Sequence, residues 1–192
     1  IAFELLSAYN DFIGTHGFNR PALGNYTLAL NPSGNGWLAQ ITIGDVYNGV
    51  IVRDPAQCFT TDAAGGRNEY AGIYHPSTQV LEICTLSATI TDDVRDTIRH
   101  ELFHAVQHAY PAIHQSPDWD QEWVMEGTAS LAGSSIGGLH RFPAWEVRDV
   151  TDSLIQTYAV NSGLIAYEGQ DFWFYMLDEF GQPLGYLDQI FA

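Results

Sequence analysis

The segment TDDVRDTIRHELFHAVQHA, residues 91–109, decides our interpretation of the fold, because it has the pattern of an amphipathic helix. Thr91 and the two aspartates after it predict an N-terminal cap, and Pro111 predicts the end of the helix. Five apolar residues recur at helical spacing and predict the face that packs on the core: Val94, Ile98, Leu102, Ala105 and Ala109. A core helix is therefore expected here.

Within this helix, His100-Glu101-Leu102-Phe103-His104 fits the pattern H-E-x-x-H and falls on the face opposite the apolar stripe. Residues four apart lie about 40° from each other around a helix axis, so His100 and His104 can bind one metal ion together. Glu101 lies part of a turn away, within reach of a water molecule on that metal. Two imidazoles and such a carboxylate are typical of zinc-dependent hydrolysis. The alternative is a helix with two ordinary histidines, because a short pattern also occurs by chance.

The length of 192 residues predicts a single domain. After a short helix over residues 1–13, strand-like patterns dominate the first half, at 26–30, 37–43, 46–52 and 80–86. Helical patterns dominate the second half, at 91–109, 121–131 and 170–180. Strands followed by helices predict an α+β fold. We expect a small, mostly antiparallel sheet in a lobe over about 1–90 and a helical lobe over about 91–192.

The charge is strongly unbalanced, with 23 acidic residues against 7 basic residues, all of them arginine, and a net charge of −16. Such a surface repels nucleic acid and anionic membranes, and no apolar run is long enough to cross a bilayer. We therefore expect no nucleic-acid partner and no membrane insertion. The negative charge serves solubility or attracts basic substrates, and composition leaves both explanations open.

The two cysteines, Cys58 and Cys84, do not form a C-x-x-C pair, so a structural zinc site is not expected from them. They flank a glycine-rich turn at 63–67, and we expect a disulfide, with two free buried thiols as the alternative. A disulfide indicates an oxidising compartment. Because the chain begins with Ile1 and shows no signal peptide, we expect a mature protein that is secreted or otherwise extracytoplasmic.

A second motif follows His104 by 22 residues, in Trp123-Val124-Met125-Glu126-Gly127-Thr128-Ala129. A catalytic zinc site needs three protein ligands and one open position for water. Glu126 lies on a separate helical segment, so it can approach the two histidines from a second direction. It is therefore the candidate for the third ligand.

Together the two motifs resemble those of the gluzincin metallopeptidases, in which H-E-x-x-H is followed by a glutamate, often within W-x-x-E-G-x-A. The resemblance covers about residues 91–181 and identifies no subfamily. It implies a zincin-like domain with one catalytic Zn²⁺ held by His100, His104 and Glu126. It also implies that Glu101 is the general base and later the proton donor.

A weaker similarity begins at Tyr167, which precedes an aromatic segment ending at Gly181. The segment resembles the Tyr-to-Gly helical segment of aminopeptidase-like gluzincins, in which the tyrosine stabilises the oxyanion. Tyr167 is thereby implied in that role, with Tyr158 as the reserve. A packed aromatic helix without such a role is the alternative.

Some features depart from these families. Ser130 stands where thermolysin-like members have an aspartate that orients a zinc histidine, so we expect that support to come from elsewhere. A longer consensus with a third histidine is not met, because Gln107 and Tyr110 occupy its glycine and histidine positions. The resemblance also implies an edge strand that pairs with the substrate backbone, for which 37–43 and 80–86 are the candidates.

The expected function is hydrolysis of peptide bonds in a peptide or protein substrate by a metal-activated water. The small size favours an endopeptidase, because no extra domain is evident to close one end of a cleft. One alternative is a non-catalytic zinc-stabilised domain that binds a protein partner. Another is a binding protein whose histidines hold no metal. Cleavage preference and oligomeric state are not predicted.

Overall fold

The computed structural model describes residues 1–21, 36–43, 46–61, 63–85, 90–114, 122–134 and 163–192. The strand predicted at 26–30 and the reserve residue Tyr158 lie outside these ranges. Within them, two small sheets precede most of the helices along the chain. The prediction of a mixed α+β fold with a small sheet in the N-terminal half is therefore confirmed.

The larger sheet has four strands in the order β1-β2-β6-β5. These strands are β1 Gly36–Ile43, β2 Val46–Arg53, β5 Gly72–His75 and β6 Val80–Cys84. The pairs β1–β2 and β5–β6 are antiparallel, whereas β2 and β6 run parallel. A separate antiparallel pair joins β3 Phe59–Thr61 to β4 Arg67–Glu69. The larger sheet is thus mostly antiparallel, with one parallel pairing that local sequence patterns do not reveal.

The described helices are α1 Ala2–Tyr9, extended by a π-helical segment Asn10–Thr15, then α2 Asp92–Gln107, α3 Pro111–His114, α4 Glu122–Ser134, α5 Gly163–Glu179 and α6 Leu187–Phe191. The predicted start of α5 at residue 170 is wrong, since the helix begins seven residues earlier. It continues through Gly169 because that backbone packs tightly on α4, where a Cβ on Gly127 would lie 2.7 Å from the Gly169 carbonyl carbon. Tertiary packing here outweighs the weak helix propensity of glycine.

Helix α2 lies at the centre of the fold and packs against α1, α4, β5 and β6. The hydroxyl of Thr91 caps it by accepting a hydrogen bond from the Val94 N–H at 3.3 Å. Of the predicted core stripe, Ile98, Leu102 and Ala105 are fully buried, and Val94 and Ala109 are partly buried. The apolar stripe thus fixes the rotation of α2, which turns its histidines toward α4.

Cys58 and Cys84 form a disulfide that joins the segment after β2 to the end of β6. The predicted pairing is therefore confirmed, and it closes a loop across 26 residues. By constraining the unfolded chain, a disulfide that closes a loop of similar length raises the free energy of unfolding by about 3 kcal/mol. Among the helices that the structure describes, none is long and apolar enough to cross a membrane.

A buried carboxylate on β6 is held by three polar side chains. Arg53 donates two hydrogen bonds to Glu82, at 2.6 and 2.8 Å, and the Tyr70 hydroxyl donates a third at 3.1 Å. The His75 Nε2 lies 3.4 Å from the same carboxylate. Burial would raise the pKa of Glu82, but the bonds from Arg53 and Tyr70 hold it below its ordinary value. The ionised form therefore stabilises the folded state at neutral pH.

We expect Arg53→Met to lower the free energy of unfolding at pH 7 by about 2 kcal/mol, because the change leaves a buried charge without its cation. The pKa of a glutamate is about 4.3 in the unfolded chain. A carboxyl group whose pKa is lower in the folded state stabilises the fold above that pH. This stabilisation disappears as the pH falls through the pKa of the folded state. The difference between Arg53→Met and the native protein should therefore shrink below about pH 4. Urea unfolding of both proteins at several pH values measures this difference in the free energy of unfolding.

Arg67→Met is the matched control, because the Arg67–Glu69 pair is largely exposed. Arg67→Met should lower the free energy of unfolding by about 1 kcal/mol or less. An Arg53→Met loss that stays constant from pH 7 to pH 3 would show that charge pairing with Glu82 is not its cause.

Candidate metal centre

Three side chains from two helices converge on one point. His100 and His104 project from α2, and their Nε2 atoms lie 3.0 Å apart. The Glu126 Oε2, from α4, lies 3.2 Å from the His100 Nε2 and 3.4 Å from the His104 Nε2. The two imidazole rings are nearly perpendicular, at 85°. The structure thus brings together the three side chains that the sequence predicts as ligands.

Small residues on α4 allow this convergence. A Cβ on Gly133 would lie 2.9 Å from the Asp96 carbonyl oxygen and 3.5 Å from the His100 Cβ, so α4 can approach α2 closely at this point. Ala129 and Ala132 are fully buried on the same helix. Because the two backbones come this close, the short glutamate side chain reaches both histidines.

The donor geometry fits a metal ion. Tetrahedral zinc forms bonds of about 2.0–2.2 Å to imidazole nitrogen and carboxylate oxygen, so its donors lie roughly 3.3 Å apart. The three separations of 3.0, 3.2 and 3.4 Å match that spacing. The Glu126 Oε2 is also buried, and it accepts no hydrogen bond from the described residues. The cluster can therefore hold a metal ion, and three protein ligands leave one position open, as in catalytic sites.

The electrostatics of the cluster show how a cation would be held. Burial would lower the pKa of His104, but the Glu126 carboxylate raises it, to about 9. Burial would raise the pKa of Glu126, but the two imidazoles hold it well below its usual range. A proton on the imidazole pair therefore balances the carboxylate. A bound metal ion would replace this proton, because histidine binds metal in its neutral form.

A buried glutamine supports one of the candidate ligands, His104. The Gln107 Oε1 lies 2.8 Å from the His104 Nδ1, so this ring nitrogen donates and leaves the Nε2 free for a metal. The amide nitrogen of Gln107 donates to the Met125 carbonyl oxygen at 2.8 Å and to the Thr128 Oγ1 at 2.7 Å. One fully buried amide therefore fixes the His104 ring and ties α2 to α4.

Sequence reasoning missed this role of Gln107 and compared it only with the glycine of a longer consensus. Its position three residues after His104 places the two side chains on the same side of the helix, and this spacing could have indicated their contact. The expectation for Ser130 also needs correction, because its Oγ lies 3.4 Å from the His100 Nδ1. Ser130 is one turn beyond Glu126 on α4, so its hydroxyl comes close to the imidazole of His100.

We expect Gln107→Leu to weaken metal binding at this cluster by about 10- to 100-fold, because outer partners fix the tautomer and orientation of histidines that bind a metal. Competition with a chromogenic chelator measures the dissociation constant. Thr128→Val is the control, since it removes a partner of Gln107 and leaves the acceptor for His104 in place. Its effect should be smaller, and an unchanged affinity in Gln107→Leu would exclude the supporting role.

Glu101 lies beside the cluster, between α2 and the sheet. The residue is 7% exposed, and burial raises its pKa, although the neighbouring imidazoles oppose the shift. The strand β5 passes very close to it, since a Cβ on Gly72 would lie 2.8 Å from the Glu101 Cγ. The carboxylate is therefore held at the junction of helix α2 and strand β5.

A cavity of about 430 Å³ opens next to Glu101 and His100. Its described walls come from α2, α4, α5 and the segment from Glu69 to Gly72 at the start of β5. Of the two candidate edge strands, 80–86 does not lie at an edge of the described sheet, whereas 37–43 does. Strand β6 lies between β2 and β5, and β1 lies at the opposite end of the sheet from β5. The strand that borders the cavity is β5.

Tyr167 lies within α5, and the structure does not describe its side chain. Its role at the oxyanion stays a prediction. Gln170, three residues later on the same helix, lines the cavity. Helix α5 therefore contributes directly to the wall of the site.

Comparison of the chain with protein-family models, with curated protein sequences and with solved structures gave no match. The two motifs, the geometry of the cluster and the adjoining cavity are therefore the features that indicate a function.

Proposed function

We propose that this protein is a zinc-dependent peptidase of the gluzincin type, a single zincin-like domain that hydrolyses internal peptide bonds. The observation that carries the proposal is the convergence of three metal-binding atoms from His100, His104 and Glu126 beside the buried Glu101. Zinc is the proposed ion because it suits two imidazoles and one carboxylate, whereas magnesium and calcium prefer oxygen ligands throughout.

When bound, zinc would supply a Lewis acid that lowers the pKa of a water molecule toward neutrality. Glu101 accepts the proton of this water during its attack on the carbonyl carbon and then delivers the proton to the leaving amine nitrogen. Burial raises the pKa of Glu101, which suits a group that must both accept and return a proton near neutral pH. Gln107 and Ser130 keep the two imidazoles in place during these steps.

The remaining groups of the site act on the substrate. Tyr167 is assigned the stabilisation of the negative charge that develops on the substrate carbonyl oxygen. We assign to strand β5 the role of pairing with the substrate main chain, because it forms the sheet edge beside Glu101 within the described residues. An extended peptide can add to such an edge through backbone hydrogen bonds.

The proposal also concerns the compartment in which the protein acts and the class of molecule that it binds. The disulfide between Cys58 and Cys84 favours an extracytoplasmic compartment, which fits a secreted peptidase. The net charge of −16 disfavours nucleic acid as a partner. A peptide or protein is therefore the proposed substrate.

Incubation of the zinc-loaded protein with a mixture of unrelated peptides, followed by mass spectrometry, tests the proposal. We expect cleavage at internal bonds that a chelator abolishes and added zinc restores. A protein that binds zinc and is strongly destabilised by chelation, yet cleaves no peptide, would instead be a zinc-stabilised domain that binds a protein partner.

A further inference from the structure

Strand β5 and helix α2 approach each other closely at Gly72. A Cβ on this glycine would lie 2.6 Å from the Thr97 Cγ2 and 2.8 Å from the Glu101 Cγ. Close-packed side chains do not come this near to a Cβ, so a larger residue at position 72 would displace the strand or one of the two side chains. The bare Cα of Gly72 is therefore part of the surface on which the Glu101 side chain rests.

The Thr97 side chain is poorly able to move aside. Its hydroxyl donates a hydrogen bond to the Asp93 carbonyl oxygen at 2.8 Å, while its methyl group faces β5. A β-branched side chain also has few rotamers available within a helix. A methyl group added at position 72 would therefore press on the longer Glu101 side chain, which has more freedom to shift.

The hydrogen-bond pattern of β5 directs the Tyr74 N–H away from β6. The Cys84 N–H donates to the Ala71 carbonyl oxygen at 2.9 Å, so these two residues form a hydrogen-bonded pair. Such pairs alternate with non-hydrogen-bonded pairs in an antiparallel ladder, and Tyr74 stands opposite Leu81 in one of the latter. Its N–H therefore lies on the outer side of β5, where it donates a hydrogen bond to the Glu101 carboxylate.

We infer that Gly72 and the Tyr74 N–H are positioning groups for Glu101, the proposed general base. Gly72 lets the Glu101 side chain lie against the strand, and the Tyr74 N–H fixes the direction of its carboxylate. The inference rests on the proposed peptidase function, since that function makes Glu101 a base. Position matters for such a group, because misplacement by about 1 Å can lower a rate by about 10²-fold.

Gly72→Ala tests the steric part of this inference. The added methyl group would point at α2 rather than along the outer edge of β5. We therefore expect kcat of the zinc-loaded protein to fall by about 10- to 100-fold, with KM and zinc affinity nearly unchanged. A second change, Thr97→Ser, removes only the contacting methyl group and should restore part of this loss.

Gly14→Ala is the control for replacement of a glycine. A Cβ at this position would meet no neighbouring atom within 4 Å among the described residues. This variant should therefore leave kcat and KM unaltered.

A double-mutant cycle with Glu101→Gln shows whether Gly72 acts through the base. Residues that act as a unit have non-additive effects, so Gly72→Ala should change the residual kcat of the Glu101→Gln protein by less than about threefold. Equal fold losses in both backgrounds would show that the methyl group disturbs the substrate or the metal instead. That result would overturn the inference.

Amide hydrogen exchange of the zinc-loaded protein, followed by NMR, tests the Tyr74 hydrogen bond independently of activity. Glu101→Leu has a similar size but no acceptor, so the Tyr74 N–H should exchange about 10- to 100-fold faster. Glu101→Gln keeps an oxygen that can accept the bond, so its Tyr74 N–H should exchange within about threefold of the native rate. The Ile73 N–H, which faces β6, is the internal reference and should be unchanged.

The exchange experiment also covers the case in which Gly72→Ala does not fold, because it does not use that variant. A Tyr74 exchange rate that Glu101→Leu leaves unchanged would overturn the inference. Absence of peptide cleavage, with the expected exchange rates intact, would overturn only the peptidase function.

Discussion

Replacement of Glu101 with glutamine is expected to lower kcat for peptide hydrolysis by about 10³-fold while zinc stays bound. General acid–base catalysis contributes about 10²- to 10⁴-fold, and the amide cannot accept or return the proton. The side chain keeps its size in a site where it is only 7% exposed, so packing should be preserved. Zinc content and affinity should not fall, because the three donor atoms belong to other residues.

Glu179→Gln, the same change at an exposed position on α5, should leave kcat and KM unaltered. The measurement is steady-state hydrolysis of one peptide from the cleavage profile, beside metal analysis of each variant. A Glu101→Gln protein with full activity would refute the role of general base. Loss of zinc along with activity would instead make Glu101 part of the metal-binding set.

Replacement of His104 with alanine is expected to remove both zinc and activity. The change leaves His100 and Glu126 as the two remaining donors, and the Glu126 Oε2 loses one of its two imidazole neighbours. The affinity should fall by more than the 10- to 100-fold that follows loss of an outer partner. Chelator competition measures the affinity, and peptide hydrolysis measures the activity.

His108→Ala is the matched control, because this histidine is one turn further along the chain and packs on the Tyr74 ring, 5.4 Å away. It should retain zinc and activity, with at most a small loss of stability. If both alanine variants bound zinc equally well, His104 would not be a ligand. If both lost it, general destabilisation of the helix terminus would explain the result.

The candidate ligands can be predicted from sequence because their signals are local. The spacing of His100 and His104 lies within one helix, and the rotation of that helix follows from its apolar stripe, of which Ile98, Leu102 and Ala105 are fully buried. Glu126 is marked by its own short motif. The disulfide can also be anticipated, because the chain has only two cysteines.

The surroundings of the site depend on contacts between distant segments, which periodicity does not encode. Gln107 reaches Met125 and Thr128, 18 and 21 residues away, so its role appears only once α2 and α4 are packed together. The position of β5 beside Glu101 depends on the parallel pairing of β2 with β6. The start of α5 is likewise set by packing of Gly169 against Gly127.

The most direct test of the central claim is the metal content of the extensively dialysed native protein, measured by mass spectrometry beside Glu126→Ala. We predict about one zinc per chain in the native protein and loss of that zinc in the variant, because Glu126 supplies one of three donors. A native protein that holds no zinc even after resupply, or a Glu126→Ala variant that holds it with undiminished affinity, would contradict the three-ligand metal centre.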